Sequence, residues 1–121
     1  MARSYRELLV WQKAKALAVL TYRATEQLPK TETYSLTSQI RRAAVSVPSN
    51  IAEGQGRLTC GEFQHFLGQA RGSLLELDTQ IEIAFELTYL SADKYKTLAQ
   101  EIYQVLGLLN RLLESLRSKS A

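Results

Sequence analysis

The sequence predicts an all-α fold, an antiparallel up-down-up-down four-helix bundle formed as a single domain by residues 1–121. Apolar residues recur every three or four positions in four segments, which is the period of an amphipathic helix. Capping residues, glycines and a proline separate these segments. Two prolines and six glycines in 121 residues leave little material for the turns of an all-β fold.

The first helix is predicted over residues 5–28. Ser4 and Glu7 have the spacing of a capping box, and Pro29 ends the helical pattern. One face of this helix carries Val10, Ala14, Leu17, Thr21, Ala24 and Leu28.

The second helix is predicted over residues 35–53, with Leu36, Ile40, Ala44, Val47 and Ile51 on its core face. Several of its side chains are small, so a neighbouring helix can approach closely and this helix is expected in the most crowded part of the structure. Pro48 lies inside the pattern and removes a backbone donor. A kink is favoured, and the alternative is a break at Val47 with a new helix beginning at Pro48.

The third and fourth helices are predicted over residues 60–88 and 92–117. Thr59 and Glu62 form a second capping box, and Ser91 has the position of an N-cap. The apolar positions of the two helices are Phe63, Leu67, Ala70, Leu74, Leu77, Ile81 and Ala84, then Tyr95, Leu98, Ile102, Val105, Leu109, Leu112 and Leu116. These spacings of three and four are sustained heptads, which are typical of helices packed nearly antiparallel in a bundle.

The first and last helices carry more apolar residues than one core-facing stripe requires. The additional residues are Leu9, Val19 and Leu20 on the first helix and Tyr103, Leu106, Leu108 and Leu113 on the last. Monomers rarely expose large contiguous apolar patches, so this surplus predicts self-association.

The net charge of +3 is unevenly distributed. Residues 1–30 contain six basic and two acidic side chains, whereas residues 61–90 contain one basic and five acidic side chains. A basic first helix and an acidic third helix can attract each other within one chain or between chains. The longest apolar run, Ala16–Leu20, is far too short to span a membrane, and the first residues lack the apolar core of a signal peptide. We therefore expect a cytoplasmic protein.

No combination of residues indicates an enzyme. His65 is the only histidine and Cys60 the only cysteine, so neither a histidine-paired relay nor a disulfide can form within the chain. The glycine spacing of Gly56–Gly61 resembles a phosphate loop, but Glu62 and Phe63 follow where lysine and a hydroxyl residue are needed. We expect no catalytic residues, no cofactor and no metal site.

Basic side chains are the remaining candidates for function. Arg42 shares a polar stripe of the second helix with Ser46, Ser49 and Glu53, and arginines beside hydroxyls can contact phosphates. The alternative is a solvated or intersubunit ion-pair face, in which Arg42 or Arg57 pairs with the acidic third helix of a neighbour. The candidate nucleic-acid-binding residues are Lys13, Arg23, Arg41, Arg42 and Arg57.

The stretch Tyr34–Gly54, with the sequence YSLTSQIRRAAVSVPSNIAEG, resembles the small bacterial four-helix bundle protein family. That family includes proteins encoded by intervening sequences in large-subunit ribosomal RNA genes. Further similar segments occur in the same order at Leu8–Lys13, Glu62–Leu67, Gly72–Leu77 and Tyr89–Ser91, so the resemblance covers nearly the whole chain.

The resemblance implies an antiparallel bundle that assembles into a homopentameric ring. It also implies kinship with the accessory variability determinant of diversity-generating retroelements, which binds a reverse transcriptase and nucleic acid through a basic surface. Lys13, Arg41 and Arg42 match basic positions of the family, whereas Arg23 and Arg57 are added from charge geometry. The leading hypothesis is a non-enzymatic oligomer that binds structured RNA, DNA or an RNA–protein complex. The competing hypothesis is a scaffold that docks a partner protein, such as a reverse transcriptase, without touching nucleic acid.

Overall fold

The structure, a computed structural model, describes residues 4–120. Its helices are α1 (Leu9–Ala24), α2 (Leu36–Gln55), α3 (Cys60–Glu86) and α4 (Ala92–Ser120). Short 3₁₀ turns occupy Tyr5–Glu7, Thr25–Gln27 and Lys30–Glu32, and no β-strand occurs in the described residues. The predicted all-helical fold with four helices is confirmed.

The helices surround one apolar core in the order of the chain. α1 packs against α2 and α4, and α3 packs against the same two helices, so α1 and α3 occupy diagonal corners. Two contacts show that α3 and α4 run antiparallel. Arg71 in the first half of α3 donates to Asn110 in the second half of α4, and the ring of Phe85 near the end of α3 stacks on Tyr95 near the start of α4. The core contains residues of the predicted apolar faces. On α3, for example, every predicted heptad position from Leu67 to Ala84 is buried.

The first helix is shorter than the predicted range of residues 5–28. Leu8 is extended, so the 3₁₀ turn before it is separate from α1. Ser4 caps the amide of Arg6 in this turn, whereas the predicted box placed Ser4 at the start of the long helix. A side-chain hydrogen bond stabilises this break, because Gln12 Nε2 donates to the Arg6 carbonyl at 2.7 Å. At the other end, Leu28 is extended because the proline that follows disfavours helical backbone.

α2 continues through Pro48 without interruption, so the alternative of a new helix beginning at Pro48 is not observed. Ala43 and Ala44 are buried, as expected for the crowded helix. α2 and α3 approach closely at Gly54, where an added Cβ would be 2.7 Å from the Cβ of Phe66 on α3. α2 therefore relies on small residues where it meets its neighbours.

α3 ends at Glu86 in a Schellman motif, two residues before the predicted end. Thr88 has a φ of 64°, its amide donates to the Phe85 carbonyl, and the Tyr89 amide donates to the Ala84 carbonyl. The predicted caps are observed at the starts of α3 and α4, because Thr59 accepts a hydrogen bond from the Glu62 amide and Ser91 accepts one from the Lys94 amide.

Much of the surplus apolar surface lies along α1 and α4. Tyr103 is 77% exposed and Leu9 is 54% exposed, while Leu106 and Leu108 are half-buried. These four residues and Lys13 line a groove of about 500 Å³ between the two helices, referred to below as the α1/α4 groove. Among residues 4–120, no helix is long and apolar enough to cross a membrane.

Candidate nucleic-acid interface

Arg41 and Arg42 lie together near the start of α2, beside the last turn of α1. The Arg41 guanidinium is fixed in place: Nε donates to Thr25 Oγ1 at 3.0 Å and Nη2 donates to the Tyr22 carbonyl at 3.1 Å. It also lies over the Tyr22 ring, 4.6 Å from the ring centre. Arg41 therefore satisfies a carbonyl at the end of α1 while keeping its positive charge at the surface.

Arg42 is exposed and forms no hydrogen bond or ion pair with the described residues. It shares a cleft of about 380 Å³ with Arg41, and no carboxylate lines this space. We call it the α2 cleft, and its lining residues are Tyr22, Thr33, Tyr34, Thr37, Ser38, Arg41 and Arg42. Two guanidinium groups without a carboxylate create a local preference for an anion.

The other three predicted residues lie apart from this pair. Lys13 lines the α1/α4 groove, and Arg23 lines a separate cleft with Asp93 of α4. Arg57 follows the opposite end of α2, about 22 Å along the helix axis from Arg42. The structure thus brings together two of the five candidates and distributes the remaining three over the surface.

The charge of Arg57 is partly neutralised within the chain. Its Nη2 donates to Glu53 Oε2 at 3.1 Å, one helical turn earlier, and its guanidinium lies 4.6 Å from the centre of the Phe66 ring. The sequence-based alternative assigned Arg57 to an ion pair with a neighbouring subunit, but the ion pair observed here is local.

One serine of the predicted polar stripe faces another helix rather than solvent. Ser46 Oγ lies 2.8 Å from Ser73 Oγ on α3, and Asn50 donates to the Ser46 hydroxyl at 2.9 Å. Ser49 is exposed. The stripe therefore contributes Arg42, Ser49 and Glu53 to the surface, while Ser46 helps to join α2 to α3.

The acidic side chains of α3 are all exposed. Burial raises the pKa of Tyr95, which packs against α3, and the nearby carboxylates of Glu82, Asp78 and Glu86 raise it further. Within residues 4–120, no three histidine, cysteine or acidic side chains are grouped closely enough to hold a metal ion. This helix thus presents a negative surface opposite basic α1.

Five residues of the α2 cleft were not recognised as site residues from the sequence, namely Tyr22, Thr33, Tyr34, Thr37 and Ser38. Tyr34 is 97% exposed, and Thr37 is 8% exposed with no hydrogen-bond partner for Oγ1 in the described chain. The available signal was an aromatic residue in a polar connection directly before a helix that carries paired arginines. Tyr22 lies on α1, 19 positions before Arg41, so no local pattern links the two residues.

Comparison with known proteins identifies the family. Residues 6–111 match the model of the 23S rRNA-intervening sequence protein family. A solved structure from Bacteroides thetaiotaomicron VPI-5482, described as a protein of unknown function from the S23 ribosomal protein family, has the same fold, with a TM-score of 0.81 and 20% sequence identity. The match covers 88% of this chain and 96% of that one. No curated protein matches the chain. Because the family model covers most of its length, the chain belongs to the 23S rRNA-intervening sequence protein family.

Proposed function

We propose that this protein is a non-enzymatic, homo-oligomeric accessory protein that binds structured RNA, or an RNA–protein complex, through the basic surface around Arg41 and Arg42. The observation that carries the proposal is the α2 cleft, where fixed Arg41 and unpaired Arg42 face solvent with no carboxylate in the lining. Phosphate groups are the ligands that such a pair of guanidinium groups binds best.

Binding of this kind is electrostatic and depends on salt. Each neutralised phosphate releases counterions, so affinity falls as salt concentration rises. Lys13 and Arg23 lie on α1, outside the α2 cleft, and act at longer range in this proposal. The net charge of one chain is only +3, so several copies acting together strengthen the interaction.

Self-association is part of the proposal, with a homopentameric ring as the expected assembly. The α1/α4 groove leaves Leu9 and Tyr103 exposed, which is unusual for a monomer. Basic α1 and acidic α3 are diagonal within the bundle, so close contact between helices of opposite charge is available only between chains. A head-to-tail interface of this kind closes into a ring when the rotation between copies allows it.

Light scattering with and without a structured RNA tests the proposal. We expect a discrete oligomer that gains RNA mass at low salt and loses it as salt rises. Arg42→Glu should weaken RNA binding about tenfold, because a phosphate contact becomes a repulsion. Lys96→Glu, with the same charge change at an exposed site on α4, should change affinity less than about twofold. An oligomer that ignores RNA at both salt concentrations would contradict nucleic-acid binding, and a monomer would contradict the assembly.

A second candidate function is a scaffold that docks a protein such as a reverse transcriptase. The α1/α4 groove favours it, because Tyr103 and Leu9 offer an apolar surface beside Lys13 and Arg111. Tyr103→Ala should then reduce capture of the partner protein and leave RNA affinity unchanged, whereas Arg42→Glu should have the opposite effect. If Arg42→Glu leaves RNA binding intact and Tyr103→Ala abolishes partner binding, the scaffold replaces the leading proposal.

A further inference from the structure

The α2 cleft contains a buried hydroxyl whose hydrogen bond is missing. Thr37 is 8% exposed, and its Oγ1 is buried with no partner among residues 4–120. Thr21 and Thr25, buried nearby in α1 and its following turn, donate instead to helix carbonyls four residues earlier, at 2.7 and 2.8 Å. Thr37 lies in the first turn of α2, where the residue four positions earlier precedes the helix. Buried hydroxyls are rarely left unpaired. This oxygen has less than 1 Å² of accessible surface, so a ligand in the cleft contacts the exposed side chains around it rather than Oγ1 itself.

The charges around Thr37 define that ligand as an anion. Arg41 and Arg42 line the same cleft, and Arg41 is held rigidly by Thr25 and by the Tyr22 carbonyl. A positive group fixed in advance loses little freedom on binding, which strengthens recognition of phosphate.

The nearby carboxylate of Glu32 is engaged outside the cleft. It accepts hydrogen bonds from the Ser35 hydroxyl at 2.6 Å, from the Tyr89 hydroxyl at 3.0 Å and from the Leu36 amide at 3.4 Å. Glu32 is not among the residues that line the cleft. It therefore occupies one side of the α2 N-terminus, so the anion site depends on the two arginines rather than on the helix dipole.

An aromatic platform borders the anion site. The Tyr34 side chain is 97% exposed and lines the cleft, so its ring can be covered by a ligand without displacing any packed side chain. Aromatic rings next to phosphate-binding cations are the usual means of holding unpaired bases. The cleft volume of about 380 Å³ falls within the range of small-ligand sites.

We propose that the α2 cleft binds one unpaired nucleotide of an RNA strand, with its phosphate against Arg41 and Arg42 and its base stacked on Tyr34. This inference rests on the proposed nucleic-acid binding and narrows it from structured RNA in general to loops, bulges or single-stranded ends. A continuous duplex offers phosphates but keeps its bases stacked inside, so it cannot use the ring of Tyr34.

Fluorescence anisotropy with two labelled probes tests the proposal. One probe is an unpaired RNA of about eight nucleotides, and the other is the same strand in a perfect duplex. The full chain is compared with Tyr34→Ala, Tyr34→Phe and Thr37→Val. Leu58→Ala is the matched control, because Leu58 is 98% exposed, much like Tyr34, and lies outside the α2 cleft. Thermal unfolding of each variant is recorded in parallel.

Tyr34→Ala should weaken binding of the unpaired RNA between about fivefold and 150-fold, which is the usual range for one stacked base. Tyr34→Phe and Leu58→Ala should remain within about twofold of the full chain, and duplex affinity should not respond to Tyr34→Ala. Thr37→Val should leave the free protein as stable or more stable, because it removes an unpaired buried hydroxyl, and should keep the affinity for unpaired RNA within about twofold.

The outcomes separate this inference from the proposed function. If the protein binds RNA in a salt-dependent way but Tyr34→Ala weakens the duplex equally, or neither probe responds to Tyr34→Ala, the nucleotide site is wrong and electrostatic binding stands. A phosphoserine peptide that competes as strongly as unpaired RNA would also overturn the nucleotide assignment. If neither RNA binds the full chain, both proposals fail.

Discussion

The contact between α2 and α3 at Gly54 gives a sharp test of the packing. A methyl group at Gly54 would lie 2.7 Å from the Cβ of Phe66 and 3.3 Å from the carbonyl oxygen of Phe63. Carbon atoms in contact prefer about 3.5–4.0 Å, so the helices must separate by about 1 Å. The Phe63 ring atom Cδ1, at 3.1 Å, can move away when the ring rotates. The Phe66 Cβ and the Phe63 carbonyl oxygen are fixed to the α3 backbone, so a rotamer change cannot relieve the strain at these two atoms.

We expect Gly54→Ala to destabilise the fold by about 2 kcal/mol. Overpacking costs up to about 3 kcal/mol, and the better helix propensity of alanine returns about 1 kcal/mol. For a chain of this length, 1 kcal/mol corresponds to about 4 °C, so the melting temperature should fall by about 8 °C. Circular dichroism during heating and in urea measures both quantities.

Gly72→Ala is the matched control, because it is the same substitution in a helix with no atom within 4 Å of the added Cβ. It should stabilise the protein by about 1 kcal/mol through propensity alone. Opposite signs for the two variants are therefore expected. Equal stabilisation by both would refute the close approach of α2 and α3 at Gly54.

Further predictions concern the connection after α3 and the surface ion pair. Thr88→Gly should raise stability by about 1 kcal/mol in thermal unfolding, because glycine removes the cost of a positive φ; an unchanged or lower melting temperature would contradict this backbone conformation. Hydrogen bonds from Ser35, then from Tyr89, hold the pKa of Glu32 below its ordinary value of 4.5, so this stabilisation is complete above that value and is lost as pH falls through the folded pKa. The melting-temperature difference between the wild type and Tyr89→Phe should accordingly shrink as the pH is lowered below 4.5, and a constant difference would rule out this linkage. Arg57→Ala should cost at most about 0.5 kcal/mol and leave RNA affinity within about twofold, since its charge is already paired; a tenfold loss of RNA affinity would show that Arg57 contacts RNA.

The helical core could be predicted because its information is local and periodic. On α3 the spacing of Leu67, Leu74 and Ile81 is sufficient to place these residues on one face, and all three are buried. The N-caps Thr59 and Ser91 were also predictable, since a cap is defined by neighbours within one turn.

The candidate site depended on contacts that the sequence does not encode locally. Arg41 and Arg42 are adjacent and look equivalent, yet Arg41 is fixed by Thr25 from another element while Arg42 is unpaired. Likewise, Ser46 has a serine on α3 as its partner, 27 positions away. The early break at Leu8 depends on the side chain of Gln12, which the capping pattern of the preceding residues does not reveal.

The diagonal placement of α1 and α3 makes each protomer an electric dipole perpendicular to the bundle axis. In the proposed binding of RNA, the field of the polyanion turns this dipole before contact, so the basic side faces the RNA during the encounter. Orientation by the field raises the association rate and makes it sensitive to ionic strength, while the dissociation rate reflects the contacts formed afterwards. Salt should therefore slow capture of RNA more than it speeds release.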